Sequence, residues 1–93
     1  MPVPVHPGRI LKRELQAREL NASRFAHLLN VSTGRIIDIL NGKRSISADT
    51  ALRLGRYFGN SPQFWMNLQT QYNLAIAEQE RGEEIAQHVA VAK

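Results

Sequence analysis

The sequence predicts an all-α domain of five to six short helices, and three observations carry that prediction. Apolar residues recur three and four apart along most of the chain. Good capping residues, Asn21, Ser32, Ser47 and Ser61, stand just before such stretches, and stop signals follow them at Asn30, Asn41-Gly42 and Gly59. No apolar–polar alternation is sustained, and Val3-Pro4-Val5 is short and broken by proline.

After a proline-spaced arm, residues 1–6, a first helix can start near Pro7 or Gly8, with Ile10, Leu11 and Leu15 as its apolar stripe. Asn21 caps a second short helix whose inward residues are Ala22, Phe25, Ala26 and Leu29. Asn30 can take the left-handed conformation that ends it. Val31 fills the turn, and Ser32 caps a third helix with Ile36, Ile39 and Leu40 facing the core. Asn41-Gly42 stops that helix; as a hairpin signal the pair would need flanking strands, and there are none. Ser47 caps a fourth helix, 48–58, with Ala51, Leu54 and Phe58 inward. Ser61-Pro62 opens a fifth, a cap followed by proline where its missing N–H costs nothing. This helix runs through Phe64, Trp65, Leu68, Tyr72, Ala75 and Ile76. Gly82 is expected to interrupt it at a cost of about 1 kcal/mol relative to alanine. Ile85 and Val89 then form either a last turn or a frayed end. The expected organisation is an arm over 1–6, a helical domain over 7–76 and a helical tail over 77–93.

Ninety-three residues suffice for one domain with one modest core. With 43% apolar and 22% charged residues, that domain should be soluble. Without cysteine there is no disulfide framework and no thiolate ligand or nucleophile. No apolar run approaches a membrane span, and the first residues lack the features of a secretory leader, so a cytoplasmic location is expected. The charge is unevenly spread. Residues 1–60 hold ten Lys/Arg against four Asp/Glu, while residues 61–93 hold two against four. A basic front suits contact with a polyanion; uneven surface scatter is the plainer reading.

The stretch from Asn21 to Arg44 reads as two short helices joined by a tight turn, the second ending in an Asn-Gly-Lys-Arg loop. A helix-turn-helix presents its second helix to the major groove, and a basic loop after it can grip phosphates. Helical spacing sets Thr33, Gly34, Ile37 and Asp38 opposite the isoleucine stripe, with Arg35 at the flank. Arg35 suits a guanine edge or a phosphate, Thr33 a base or a thymine methyl, and Gly34 admits close backbone approach. Ile37 either presses on a thymine methyl or is half-buried. Asp38 either accepts from a cytosine amino group or holds Arg35 in place. Ser32 and the nearby helix N-termini can bond phosphate oxygens, with Arg24, Lys43 and Arg44 supplying charge.

H-P-G-R-I-L-K at 6–12, V-S-T-G-R-I-I-D-I-L-N-G-K-R at 31–44, I-S-A-D-T-A-L-R-L-G-R-Y-F-G at 46–59 and S-P-Q-F-W-M-N-L-Q at 61–69 together resemble the HigA-type antitoxins. These belong to the Xre group of helix-turn-helix proteins, related in fold to lambdoid repressors. The resemblance covers roughly residues 6–76, and its last two blocks are far more specific than a helix-turn-helix alone. It implies a dimeric antitoxin that binds an mRNA-cleaving HigB-type toxin and represses its own operon at a palindromic operator. It also implies a DNA face of Ser32, Thr33, Gly34, Arg35, Ile37 and Asp38, with Lys43 and Arg44 on the backbone. Two positions depart from the pattern: Ala22 stands where a phosphate-contacting Gln is frequent, and Ile37 where a polar residue is usual.

Phe64, Trp65, Leu68 and Tyr72 make an apolar stripe that suits the core, while Trp65, Tyr72 and Ile76 are also candidates for a dimer seam. The acidic segment from Glu78 to Glu84 either meets a basic toxin or is a solvated helix end. His6, His27 and His88 lie far apart in sequence, without metal-ligand spacing, and no G-x-S-x-G or phosphate loop occurs. The reading is therefore a non-enzyme with no catalytic residues, metal, cofactor, small-molecule substrate or membrane partner. Two alternatives remain open: a stand-alone repressor, and a toxin-sequestering module without DNA binding.

Overall fold

Every helix begins where a side chain can accept from its first free amides. In the computed structural model, which describes residues 3–92, the elements are α1 (Pro7–Ala17), α2 (Ala22–Leu29), α3 (Thr33–Leu40), α4 (Ala48–Phe58) and α5 (Pro62–His88). Met1 and Pro2 of the expected arm and Lys93 of the expected tail lie outside the described residues. Asn21 Oδ1 accepts from the Arg24 amide at 2.7 Å, and Ser32, Ser47 and Ser61 accept from the third residue onward at 3.2 Å each. The fifth cap went unread in the sequence: His6 Nδ1 accepts from the Gly8 amide at 2.9 Å.

The helix ends close as tightly. Gly42, at φ 72°, lets the Lys43 amide reach the Asp38 carbonyl (2.8 Å) and its own amide reach Ile39 (3.1 Å), the Schellman closure. Asn30 does the same for α2 at φ 58°, as its side chain suggests. At the end of α1 the left-handed residue is Glu19, φ 55°, where no sequence signal marks it; this costs on the order of 1 kcal/mol.

The core is formed by Leu11, Leu15, Phe25, Ala26, Leu29, Ile36, Ile39, Ile46, Ala51, Leu54 and Trp65. Ile10, Ala22, Leu40, Phe58 and Leu68 pack at its edge, and Phe64 stands out in solvent. Trp65 is 1% exposed, stacks near Phe58 (centroids 5.6 Å apart) and donates from Nε1 to Asn60 Oδ1 at 3.0 Å. Its indole is enclosed by its own chain, so the expectation that it lines a dimer seam is corrected: Trp65 is a core residue. Tyr72 and Ile76 are half-buried. Gly8 is a close-approach glycine, because a Cβ there would overlap the Ile39 carbonyl oxygen and push α1 off α3.

α5 departs most from expectation. It runs unbroken for 27 residues through Gly82, so the described residues form five helices, with no separate sixth. One glycine costs about 1 kcal/mol, which good helix formers around it and the Arg81–Glu84 ion pair (2.9 Å) can offset. The first half of α5 is pinned by buried Trp65 and Gln69; nothing after Gln69 in this helix is fully buried.

Candidate nucleic-acid interface

The segment expected to face DNA is α3 with the loop that follows it. Its inner side is fixed by Ile36 and Ile39, both 0% exposed. Its outer side is vacant. Gly34 is exposed, and a Cβ there would meet nothing within 4 Å. No intramolecular contact requires a glycine at that point. Ile37 is 43% exposed, an apolar side chain largely open on the outer side of the helix. Thr33, Arg35 and Asp38 are half-buried along the flanks.

Arg35 is not held by Asp38. Its Nη1 donates to Asp49 Oδ2 on α4 at 2.8 Å, while Asp38 faces Arg44 at 3.7 Å. The expectation that Asp38 orients Arg35 is corrected on geometry: Asp38 lies by the C-terminal loop, whereas Asp49, in the first turn of α4, lies against the start of α3. Asp49 also accepts from Arg53 Nε at 2.9 Å, and Arg53 Nη1 donates to the Leu29 carbonyl at the end of α2, again at 2.9 Å. The bonds from Arg53 and Arg35 hold the Asp49 carboxyl below its ordinary range, so it is a carboxylate near neutrality. This three-residue bridge ties α2, α3 and α4 together around the turn.

The loop after α3 is shaped from beneath. Ile46, 2% exposed, plugs it into the core, and buried Gln69 on α5 accepts from the Ile46 amide at 2.7 Å while donating to Asn73 Oδ1 at 2.9 Å. His6 stands edge-on to Tyr72 with centroids 4.9 Å apart and lies beside Gly42. Burial lowers the His6 pKa below 6.5, opposed by a contact with the Arg44 backbone. Lys43 and Arg44 are thereby presented on a braced loop, both exposed. Arg24, in the first turn of α2, is exposed as well; neither Arg24 nor Lys43 has a carboxylate partner among the described residues. Ser32 accepts from the Arg35 amide, which leaves its hydroxyl proton available to an outside acceptor.

The expected residues thus lie on α3, on the loop that follows it and at the start of α2, exposed except for the half-buried Thr33, Arg35 and Asp38. Sequence reasoning missed their bracing by His6, Asp49, Arg53 and Gln69. The A-D-T-A-L-R-L and F-W-M-N-L-Q blocks contain three of these four residues, and their specificity was the available signal.

Comparison with known proteins agrees with this architecture. The Helix-turn-helix family model (HTH_3) matches residues 11–65. Virulence-associated protein I of Dichelobacter nodosus is 50% identical over 78 residues, covering 83% of this chain and 72% of that protein. A HigA-family addiction module antidote protein from Coxiella burnetii superposes with a TM-score of 0.95 at 43% identity, covering 98% of this chain and all of that one. The antitoxin HigA of Pseudomonas aeruginosa, solved with the higBA promoter, gives 0.93 at 44% identity, with 97% and 99% covered. The chain belongs to the helix-turn-helix family and, within it, to the HigA-type antitoxins of the Xre group.

Proposed function

We propose that this chain is a DNA-binding antitoxin that represses its own operon and neutralises a HigB-type mRNA-cleaving toxin. The observation that carries the DNA half is the vacant outer side of α3: Gly34 and Ile37 point away from the core, and the flanking segments carry Arg24 and Lys43, which have no carboxylate partner among the described residues. An apolar side chain and a bare glycine on a helix flanked by phosphate-ready groups fit a groove better than water. In this reading Thr33, Gly34, Arg35, Ile37 and Asp38 face base edges, and Ser32, Arg24, Lys43 and Arg44 hold phosphates. The relative from Pseudomonas aeruginosa, solved with a promoter, supports it.

The functional unit is a homodimer on a palindromic operator, with half-sites about 34 Å apart. Residues 7–76 form the DNA-binding domain and residues 77–93 its tail, with Tyr72 and Ile76 at the seam. The setting is the cytoplasm, where the toxin and the operon are; no helix among the described residues is long and apolar enough to cross a membrane.

Gel-shift titration against the upstream region of the chain's own operon, at two salt concentrations, tests the DNA half. A sequence-selective, salt-sensitive complex is expected, and its absence would overturn the repressor reading. Co-purification with the product of the adjacent reading frame tests the toxin half. Recovery of the two as a complex is expected, and independent elution would overturn it.

A further inference from the structure

We propose that Asp49 and Arg53, which lie outside the base-facing helix, are positioning residues that set how selectively Arg35 reads DNA. The inference rests on the reading of α3 given above. An arginine on an exposed helix has many rotamers, and immobilising it against a base edge is part of what binding costs. Here much of that ordering is already made. Arg35 Nη1 donates to Asp49 Oδ2 at 2.8 Å, the same oxygen accepts from Arg53 Nε at 2.9 Å, and Arg53 Nη1 is anchored on the Leu29 carbonyl at 2.9 Å. The chain of contacts therefore runs from the recognition helix through α4 to the last turn of α2, across 14 and 24 residues of sequence. It fixes the guanidinium relative to the turn that sets the helix itself.

The arrangement leaves Arg35 its remaining N–H donors, enough for the paired O6 and N7 acceptors of guanine. It also keeps the Asp49 carboxylate between two guanidinium groups, which offsets its repulsion of phosphate. Because only a base contact needs Arg35 in one rotamer, the bridge should act on selectivity. General affinity, carried by Lys43, Arg44 and Arg24, should not fall when the bridge is broken.

The test measures affinity for the own-operon duplex and for a scrambled duplex of equal length, at several salt concentrations. Asp49→Asn should lower the ratio of the two affinities by up to about tenfold, the value of one pre-ordered side chain. Scrambled-duplex affinity should be equal or higher, since a negative charge is lost. Arg53→Lys keeps the charge but replaces the two separate donors, Nε and Nη1, by one ammonium, and should reduce the ratio likewise. Neither change should lower the ratio further once Arg35→Ala is present. Thermal melting confirms that each variant is folded at the assay temperature.

A parallel loss on both duplexes, tracking a lower melting point, would reduce the bridge to a stabilising contact and overturn the proposal. So would a gain on both duplexes at constant ratio, which would make Asp49 a competitor of DNA. If Arg35→Ala itself keeps the wild-type ratio, the reading of α3 fails. If Arg35→Ala loses the ratio while Asp49→Asn keeps it, only the bridge fails.

Discussion

The two halves of α5 belong to the same helix and are held by different forces. From Pro62 to Gln69 it carries a buried tryptophan and a buried glutamine that brace the rest of the domain; from Ala77 to His88 no residue is fully buried. The first half is specified by what it touches. The second, bearing Glu78, Glu80, Glu83 and Glu84, is specified only by local helix preference and pairs such as Arg81–Glu84. Helix alone therefore says little about constraint. The proposed interface draws on the constrained side, where Asp49 holds Arg35 and Gln69 holds the loop after α3.

The sharpest way to break this contrast is to truncate both halves. Trp65→Ala should cost about 3–5 kcal/mol in chemical denaturation, since it empties the middle of the core. Ile85→Ala should change stability by no more than about 0.5 kcal/mol in the monomer. A loss above that, dependent on protein concentration, would place the distal half in a subunit interface.

Gln69→Ala should fall between these values, at about 1–3 kcal/mol, because it strands the buried Ile46 amide without a partner. It should also loosen the Lys43–Arg44 loop, read as faster amide exchange at Ile46. Unchanged exchange there would show that the loop holds itself.

A smaller effect should come with pH. The folded state lowers the His6 pKa below 6.5, because burial disfavours the charged ring and outweighs the Arg44 backbone bond that opposes it. The unfolded chain then binds the proton more readily, so this stabilisation is complete above about pH 6.5 and declines as pH falls through it. The melting temperature should be lower at about pH 5.5 than at about pH 7.5. His6→Asn, which can cap without titrating, should shrink that difference; an equal difference in both proteins would clear His6 of the role. Asp49, whose pKa is lowered from an already acidic value, titrates below this window.

How much of this was legible in the sequence follows the same division. Leu11, Phe25, Ile36 and Leu54 announce themselves by spacing, and Ser32 and Gly42 by the chemistry of helix ends, because those signals are local. Arg53 and Gln69 look like solvent-facing residues until the fold brings Leu29 and Ile46 to them from 24 and 23 residues away. Ile46 stands between helices and belongs to no periodic stripe. Of the two readings of Asp38, the one in which it holds Arg35 fails: Asp38 is nearer along the chain, but it lies by the loop, and Asp49 is nearer in space. Glu19 in a left-handed conformation had no signal, since glycine or asparagine is the usual residue there. Gly82 misled in the other direction: a single glycine weakens a helix without ending it.

The outer side of α3 and the loop behind it are proposed here as a DNA surface. Its most direct test is the salt dependence of binding to the own-operon duplex, wild type against Lys43→Ala. A linear log–log dependence is expected, with a slope flatter by about 0.9 in the variant, the contribution of one phosphate contact, and with sequence preference retained. An identical slope in the two proteins, or binding indifferent to salt, would contradict it.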